Sequence, residues 1–175
     1  IKTHGINKVI CVWDGENGGI YRYRIDSNYK SNRKSKEWFK KIELTQSEIN
    51  RENNKEESLL KQRKRIQSYS EELFIRQIEV DEIEADDIIA EYCIRMHEKE
   101  DIYIFSNDRD YSQLLDLNIS IIFPNINQVV TKTNYLMYFN HHYSNALTVK
   151  IICGDTSDNI KGIKGIGEDT LLKYF

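Results

Sequence analysis

The sequence predicts an α/β fold in which a mostly parallel sheet is flanked by helices. From Phe74 onwards, short apolar runs of strand length alternate with amphipathic segments of helical periodicity. Such alternation is typical of parallel sheets with helices packed on them. An earlier apolar run, residues 8–13, has the length of one further buried strand and ends in Asp14-Gly15.

The same patterns assign elements along the chain. Strands are predicted at Lys8–Trp13, Arg76–Val80, Ile102–Phe105 and Ile119–Phe123, with a small edge strand ending at Val130. Helices are predicted at Glu84–Met96, near Tyr111–Leu115, at Thr133–Phe139 and at Ala146–Ile152. The segment Lys34–Ser70 is polar with sparse apolar residues, and it predicts two helices joined around Ile49–Lys55.

Composition is that of a soluble globular protein, with 39% hydrophobic and 30% charged residues in 175. No apolar run approaches membrane-spanning length, so we expect no membrane contact and a cytoplasmic location. Cys11, Cys93 and Cys153 are scattered and are expected to be reduced core residues. The net charge of −3 does not itself indicate a nucleic-acid partner. The segment Lys30–Arg76, however, contains 13 Lys or Arg and 8 Glu, and this local positive excess suits contact with phosphates.

Three carboxylates crowd into four positions where an amphipathic helix is predicted to begin: Glu84, Asp86 and Asp87. The helix dipole favours acidic residues at this end, and one or two of them would need no further explanation. Three carboxylates so close together repel each other unless a cation lies among them. The cluster therefore favours a metal site over ordinary helix-end electrostatics.

Further acidic residues follow other predicted elements. Asp14 and the pair Asp108 and Asp110 follow predicted strands, and the pair Asp155 and Asp158 follows the predicted helix Ala146–Ile152. Turn and helix-cap chemistry explains each of these groups separately. Because parallel strands direct their carboxyl ends to one edge of a sheet, the groups together predict a shared centre for Mg²⁺ or Mn²⁺. Two such ions can activate a water for phosphodiester hydrolysis.

Glycines recur near the end of the chain, at Gly162, Gly165 and Gly167, with Lys161 and Lys164 beside them. This spacing lets backbone N–H groups approach a phosphate closely, and it resembles the hairpin of helix–hairpin–helix DNA-binding motifs. A glycine turn that caps a structural helix is the alternative. The two lysines favour binding of the DNA backbone by these five residues.

Six sequence blocks resemble, in order, the signature blocks of the 5′-nuclease superfamily of flap endonucleases and 5′–3′ exonucleases. They are Val12–Gly15, Tyr29–Arg33, Glu84–Asp87, Asn107–Asp110, Gly154–Asn159 and Gly162–Gly167. The resemblance implies a PIN-like (resolvase-like) nuclease core over residues 1–150, with a helical arch at about 34–73. Residues 151–175 would begin the helix–three-turn–helix DNA-binding region.

The resemblance also implies roles for individual residues, by motif position. Asp14, Glu84, Asp86 and Asp87 would bind a first metal ion, Asp108, Asp110, Asp155 and Asp158 a second, and Arg22, Lys30 and Arg33 the scissile phosphate. Two or three Mg²⁺ or Mn²⁺ ions are implied in all, and a K⁺ ion in the hairpin.

The activity implied is that of a metal-dependent, structure-selective 5′-nuclease acting on 5′-flap DNA, on duplexes with a 5′ single strand and on RNA–DNA hybrids. We expect a monomer that works with replication proteins, in the host cytoplasm if phage-encoded. The family begins with a strand bearing a further metal-binding Asp, which is missing before Lys8, so we expect a fragment of a longer protein. A non-catalytic DNA-junction-binding protein and a PIN-type ribonuclease are the alternatives.

Overall fold

The computed structural model describes residues 5–32 and 46–173, in which short strands and helices alternate as predicted. The chain divides into two compact units, Ile1–Ala85 and Asp86–Phe175. The predicted division into a nuclease core, residues 1–150, and the start of a DNA-binding region, residues 151–175, stays a prediction. Within the described ranges, no helix combines the length and the apolar composition needed to cross a membrane.

The first unit contains a parallel pair of strands, β1 (Ile10–Asp14) and β2 (Arg76–Val80). In their register Trp13 lies opposite Glu79 and Asp14 lies opposite Val80. The short helix α1 (Ile20–Ile25) and the long helix α2 (Gln46–Glu72) come between the two strands in the sequence. β1 begins two residues later than predicted and takes in Asp14 as its last residue.

Helix α2 is continuous over 27 residues, so the predicted joint at Ile49–Lys55 is wrong. Neither Gly nor Pro occurs between Gln46 and Glu72, and the Glu, Lys, Arg and Gln residues that dominate it favour helix. An ion pair one turn apart, 2.8 Å between Lys61 and Glu57, adds slight support. The other predicted arch helix, around Trp38, lies outside the described residues.

Helix α3 (Ala85–Met96) leads into the second unit, whose three-stranded sheet contains β3 (Tyr103–Phe105), β4 (Ser120–Phe123) and β5 (Gln128–Val130). The expected parallel pairing is confirmed for β3 and β4, and β5 is the antiparallel edge strand. A 3₁₀ helix, Arg109–Leu117, forms where the short helix was predicted.

The core of the second unit is built around β4, whose burial alternates along the strand. Its buried side chains are Cys93, Ile104, Tyr111, Leu115, Ile119, Ile121, Phe123, Val130 and Tyr135. Burial raises the pKa of the Cys93 thiol to about 11, so this cysteine is uncharged at neutral pH. Cys11 and Cys153 are half-buried, and all three cysteines are free thiols.

The predicted helix Thr133–Phe139 is wrong in extent, because only a 3₁₀ turn at Tyr135–Met137 forms. The Asn134 side chain accepts a hydrogen bond from the Thr131 N–H (2.8 Å) and donates to the Val129 carbonyl (3.0 Å). These bonds hold the Asn134 side chain against the backbone that precedes the predicted helix.

A longer helix, α4 (Ala146–Cys153), follows close to its predicted bounds. Beyond α4 come a small antiparallel pair, β6 (Gly154–Asp155) and β7 (Ile160–Lys161), and the short helix α5 (Glu168–Leu171).

Candidate metal centre

Glu84 is a buried carboxylate of the first unit, with 8% of its surface exposed. The loop that carries it is fixed to the end of β1, where the Gly15 N–H donates to the Ile83 carbonyl at 3.0 Å. A Cβ on Gly15 would lie 1.7 Å from the Val80 carbonyl oxygen, so no side chain fits at this position. The tight approach of these two strand ends therefore sets the place of Glu84.

Two cations and a phenol contact the Glu84 carboxylate. Nη1 of Arg22, on α1, lies 2.6 Å from Oε2, and Nζ of Lys30 lies 2.5 Å from Oε1. The Tyr29 hydroxyl donates to Oε2 at 3.2 Å. Burial alone would lower the pKa of Lys30, but the hydrogen bonds with Glu84 and Tyr29 outweigh burial and raise that pKa. Lys30 therefore stays charged at neutral pH.

The Tyr29 ring orders the same two cations. Lys30 Nζ lies 4.7 Å and Arg22 Cζ 6.0 Å from its centroid, and Tyr23 packs edge-on at 5.5 Å. Tyr29 is itself buried, with 6% of its surface exposed. Sequence reasoning missed this role, although Tyr29 opens the block that contains Lys30.

Glu84, Asp86 and Asp87 come together at the start of α3, as predicted. One carboxylate oxygen from each lies within 4.8 Å of the others. Glu84 is buried, Asp86 half-buried and Asp87 exposed, so a cation can reach the group from solvent. Hard divalent cations prefer carboxylate oxygens, and this donor set therefore fits Mg²⁺ or Mn²⁺.

Asp14 ends β1 and is bonded through both its side chain and its backbone. Its Oδ1 accepts from the Ala85 N–H at 2.8 Å, so the carboxylate caps the start of α3. Its carbonyl oxygen accepts from Nη2 of Arg63, on α2, at 3.0 Å. The sequence did not point to Arg63, which is one of several basic residues in a polar segment.

A single lysine joins two acidic residues of the second unit. Lys150, on α4, pairs with Asp110 and with Asp155, the latter at 2.8 Å between Nζ and Oδ2. Burial alone would raise the pKa of Asp155, but hydrogen bonds from Lys150 and Ser157 outweigh it and lower that pKa. Lys150 is the one charged residue of the apolar helix α4, a signal that could have revealed it in the sequence.

Turn chemistry, the alternative explanation for these acidic residues, accounts for part of their geometry. Asp108 accepts from the Asp110 N–H at 2.9 Å and caps the 3₁₀ helix. Asp155 Oδ1 accepts from the backbone N–H groups of Ser157 (2.7 Å) and Asp158 (3.2 Å).

The second predicted metal site is not assembled to the same degree as the first acidic cluster. In the part of the chain that the structure describes, Asp108, Asp110, Asp155 and Asp158 do not form a group of three as close as the Glu84 cluster. A shared edge for all the acidic groups stays a prediction. Arg33, the third predicted phosphate contact, lies outside the described residues.

The glycine-rich segment packs against the end of α4. A Cβ on Gly162 would lie 2.2 Å from the Cys153 carbonyl carbon, so close backbone packing already requires glycine there. Gly167 immediately precedes α5, and Lys161 and Lys164 are exposed. These facts suit both a structural turn and a DNA-binding hairpin, so the DNA contacts of residues 161–167 stay a prediction.

A family model described as the 5′-3′ exonuclease N-terminal resolvase-like domain matches residues 1–143. The 5′-3′ exonuclease of Halalkalibacterium halodurans is 30% identical over 176 residues, covering 98% of this chain and 52% of the relative. That of Mycoplasmopsis pulmonis is 41% identical over 86 residues, covering 49% of this chain and 29% of the relative. The chain thus spans about half the length, or less, of these curated relatives.

Solved structures of bacteriophage T5 proteins share the fold. The T5 5′-exonuclease with bound zinc superposes with a TM-score of 0.77 at 22% identity, covering 99% of this chain and 61% of that one. The T5 flap endonuclease, in a pseudo-enzyme–product complex with DNA and metal ions, gives 0.74 at 22% identity, covering 95% and 58%. These likenesses confirm the predicted resolvase-like α/β class. Because the family match extends over residues 1–143, the chain belongs to the family of 5′-3′ exonuclease N-terminal, resolvase-like domains.

Proposed function

We propose that this chain forms the core of a divalent-metal-dependent, structure-selective 5′-nuclease that hydrolyses phosphodiester bonds in 5′-flap or 5′-end DNA. The observation that carries the proposal is the buried Glu84 carboxylate, which contacts Arg22 and Lys30 and lies beside Asp86 and Asp87. Oxygens suited to a metal ion thus occur together with cations suited to a phosphate. The curated relatives named 5′-3′ exonuclease support the same reaction.

The acidic residues are proposed as metal ligands in two sets. Asp14, Glu84, Asp86 and Asp87 would hold one ion, and Asp108, Asp110, Asp155 and Asp158 another, with Mg²⁺ or Mn²⁺ suited to their oxygens. When bound, such ions supply an activated water and stabilise the leaving oxygen. A K⁺ ion in the hairpin at residues 162–167 belongs to the same proposal.

Arg22 and Lys30 would bind the oxygens of the scissile phosphate. The Arg guanidinium offers a planar fork of donors and the Lys ammonium a compact charge, and both suit phosphate. Glu84 and the Tyr29 ring keep the two cations in place before DNA arrives. Donors that are oriented in advance need not reorganise during the reaction, which lowers its barrier. Arg33 is proposed as a third phosphate contact.

Helix α2 and the hairpin are proposed to contact the DNA backbone. α2 would form one side of an arch around the 5′ single strand, while Lys161, Gly162, Lys164, Gly165 and Gly167 would bind the duplex. Contacts of Lys with phosphates predict binding that weakens as salt concentration rises. The proposal also includes action on RNA–DNA hybrids. The protein would work in the cytoplasm, as a monomer, together with replication proteins.

A 5′-labelled flap substrate tests the function in the full-length protein. We expect a short labelled single strand in Mg²⁺ and no cleavage in EDTA. Asp86→Ala should slow cleavage by about 10³-fold or more, since metal ions supply several kcal/mol of transition-state stabilisation. Duplex binding, measured by fluorescence anisotropy, should stay within about twofold because it depends on other residues. The matched control, Asp101→Ala, removes an exposed carboxylate outside the acidic groups and should leave both quantities unchanged.

The alternatives give different results in the same assay. Tight flap binding without cleavage in any divalent metal would favour a non-catalytic junction-binding protein with an incomplete metal centre. Preferential cleavage of single-stranded RNA would favour a PIN-type ribonuclease. Full activity in Asp86→Ala would refute the metal assignment.

A further inference from the structure

Arg63 joins the long helix α2 to the ends of the two strands of the first unit. Its Nη2 donates to the Asp14 carbonyl oxygen at 3.0 Å and lies 3.1 Å from Oε2 of Glu79. Its Cζ lies 5.4 Å from the centroid of the Trp13 ring. One side chain of α2 therefore contacts the last two residues of β1 and the neighbouring residue of β2.

Hydrogen bonds between neighbouring side chains fix this arrangement. Gln67, one turn after Arg63 on α2, donates to Glu79 at 3.0 Å. Gln77 donates to the Gln67 carbonyl and accepts from the Trp13 Nε1–H, each at 2.9 Å. Because every member bonds to another, the group orients the Arg63 guanidinium more firmly than a lone surface ion pair would.

The contact with the Asp14 carbonyl connects this group to a proposed metal ligand. The carbonyl and the carboxylate belong to one residue, so fixing the peptide also fixes the point from which the carboxylate extends. The Asp14 carboxylate is bonded in turn to the Ala85 N–H, which follows Glu84 directly. A shift of the Asp14 peptide would therefore change the distance between Asp14 and Glu84 as ligands.

We propose that Arg63 is a positioning residue of the metal centre: it holds the Asp14 peptide in place and so couples the seating of α2 to cation binding. The inference rests on the proposed function, in which Asp14 is a metal ligand. Residues that orient metal ligands typically change metal affinity by about ten- to a hundredfold when they are substituted.

Charge and positioning predict opposite effects of substituting Arg63. A guanidinium beside carboxylates repels an approaching cation, so by charge alone Arg63→Gln would strengthen cation binding. If Arg63 instead positions Asp14, Arg63→Gln would weaken cation binding. Arg63→Lys separates the two effects further, because it keeps the charge but loses the planar fork that contacts Asp14 and Glu79 together.

Terbium luminescence tests the proposal in the full-length protein. Tb³⁺ binds oxygen ligands, and the indole of Trp13, directly before Asp14, can sensitise its emission. The protein has two tryptophans, so a Trp38→Phe background leaves Trp13 as the sole indole within residues 1–175, and excitation at the red edge of the indole band avoids the tyrosines. The midpoint of the titration gives the Tb³⁺ affinity independently of changes in brightness, and displacement by Mg²⁺ confirms that the site accepts the smaller ion.

We expect Arg63→Gln to weaken Tb³⁺ binding by about tenfold, the lower end of the usual range. Arg63→Lys should fall between Arg63→Gln and the wild type. The matched control is Arg65→Gln, which removes the same charge from α2 two residues on, about 200° around the helix. Its Tb³⁺ affinity should stay within about twofold of the wild-type value, because salt screens an exposed charge on another side of the helix. The Mg²⁺ concentration for half-maximal flap cleavage should rise from the wild type to Arg63→Lys and again to Arg63→Gln.

Unchanged or tighter Tb³⁺ binding in a folded Arg63→Gln variant overturns the proposal, whatever its melting temperature. If circular dichroism shows that Arg63→Gln is unfolded, Arg63→Lys decides, and wild-type affinity in that variant overturns the proposal. Absence of Tb³⁺ binding to the wild type overturns it as well. Weakened binding in both variants without any flap cleavage by the wild type supports the inference and refutes the proposed function. Flap cleavage by the wild type, together with unchanged Tb³⁺ binding in both Arg63 variants, supports the proposed function and overturns the inference.

Discussion

The acidic groups of the two units combine their charges in opposite ways. In the first unit one carboxylate, Glu84, contacts Arg22 and Lys30 through its two oxygens. In the second unit one ammonium, that of Lys150, contacts two carboxylates, Asp110 and Asp155. The central side chain is thus a carboxylate in the first contact set and a lysine in the second.

This difference separates two uses of the same residue types. A carboxylate that holds two cations leaves a positive excess within its contact set, which suits an anionic ligand such as phosphate. A lysine between two carboxylates leaves a negative excess, which suits a divalent cation. We therefore expect Arg22 and Lys30 to act on DNA, and Asp110 and Asp155 to act on a metal ion.

Removing one carboxylate from each set gives the largest contrast. Glu84→Gln should lower the free energy of unfolding by about 2–3 kcal/mol, because a largely buried carboxylate loses its charge beside two cations. Asp110→Asn should cost about 1 kcal/mol or less, since Lys150 keeps Asp155 as a partner. Urea unfolding at pH 7 in EDTA measures both. Equal losses in the two variants would contradict the comparison.

Removing one lysine from each set should reverse the order. Lys150→Met should lower the free energy of unfolding by about 1–2 kcal/mol, because Asp110 and Asp155 lose the cation they share. Lys30→Met should cost less, about 1 kcal/mol, since Arg22 still contacts Glu84. The same urea titrations apply, and a larger loss in Lys30→Met would refute the central role of Lys150.

The smallest expected effect is a change in acid stability. The pKa of Asp155 is lowered from its ordinary value of 3.8, chiefly by Lys150 and Ser157 acting against burial. A lowered folded-state pKa contributes stability above the unfolded-state pKa, and this contribution is lost as the pH falls towards the folded-state value.

The wild type should therefore lose about 1 kcal/mol more than Asp155→Asn as the pH falls from about 5 to about 2. Urea unfolding in EDTA at intervals across this range gives the two curves. Parallel curves would show that the pairing of Asp155 with Lys150 adds no stability.

The acidic cluster could be predicted from the sequence because its members are neighbours. Glu84, Asp86 and Asp87 lie within four consecutive positions where α3 begins, so local backbone geometry brings them together. The side chains that hold the acidic residues were not predictable in this way. Lys150 lies 40 positions from Asp110 and Arg63 lies 49 positions from Asp14, so these contacts depend on how whole elements pack.

The two errors in helix prediction have opposite physical causes. Apolar residues thin out around Ile49–Lys55, yet α2 continues, because helix continuity depends on backbone propensity and on the lack of Gly and Pro. Apolar periodicity is present at residues 133–139, yet regular helix does not form. There the Asn134 side chain bonds to the backbone of Val129 and Thr131, before the predicted helix, and the backbone itself forms bonds of 3₁₀ type, such as that from the Met137 N–H to the Asn134 carbonyl at 3.0 Å.

The unbroken length of α2 gives the Arg63 contact a mechanical meaning. From Arg63 back to Gln46 the helix rises by 17 residue steps, about 25 Å. A tilt of α2 by about 5° about this contact would displace its first turn by about 2 Å. A jointed pair of helices would absorb such a motion, whereas a single rod transmits it. A load on the far end of α2 would therefore exert a torque on the strand end that carries Asp14.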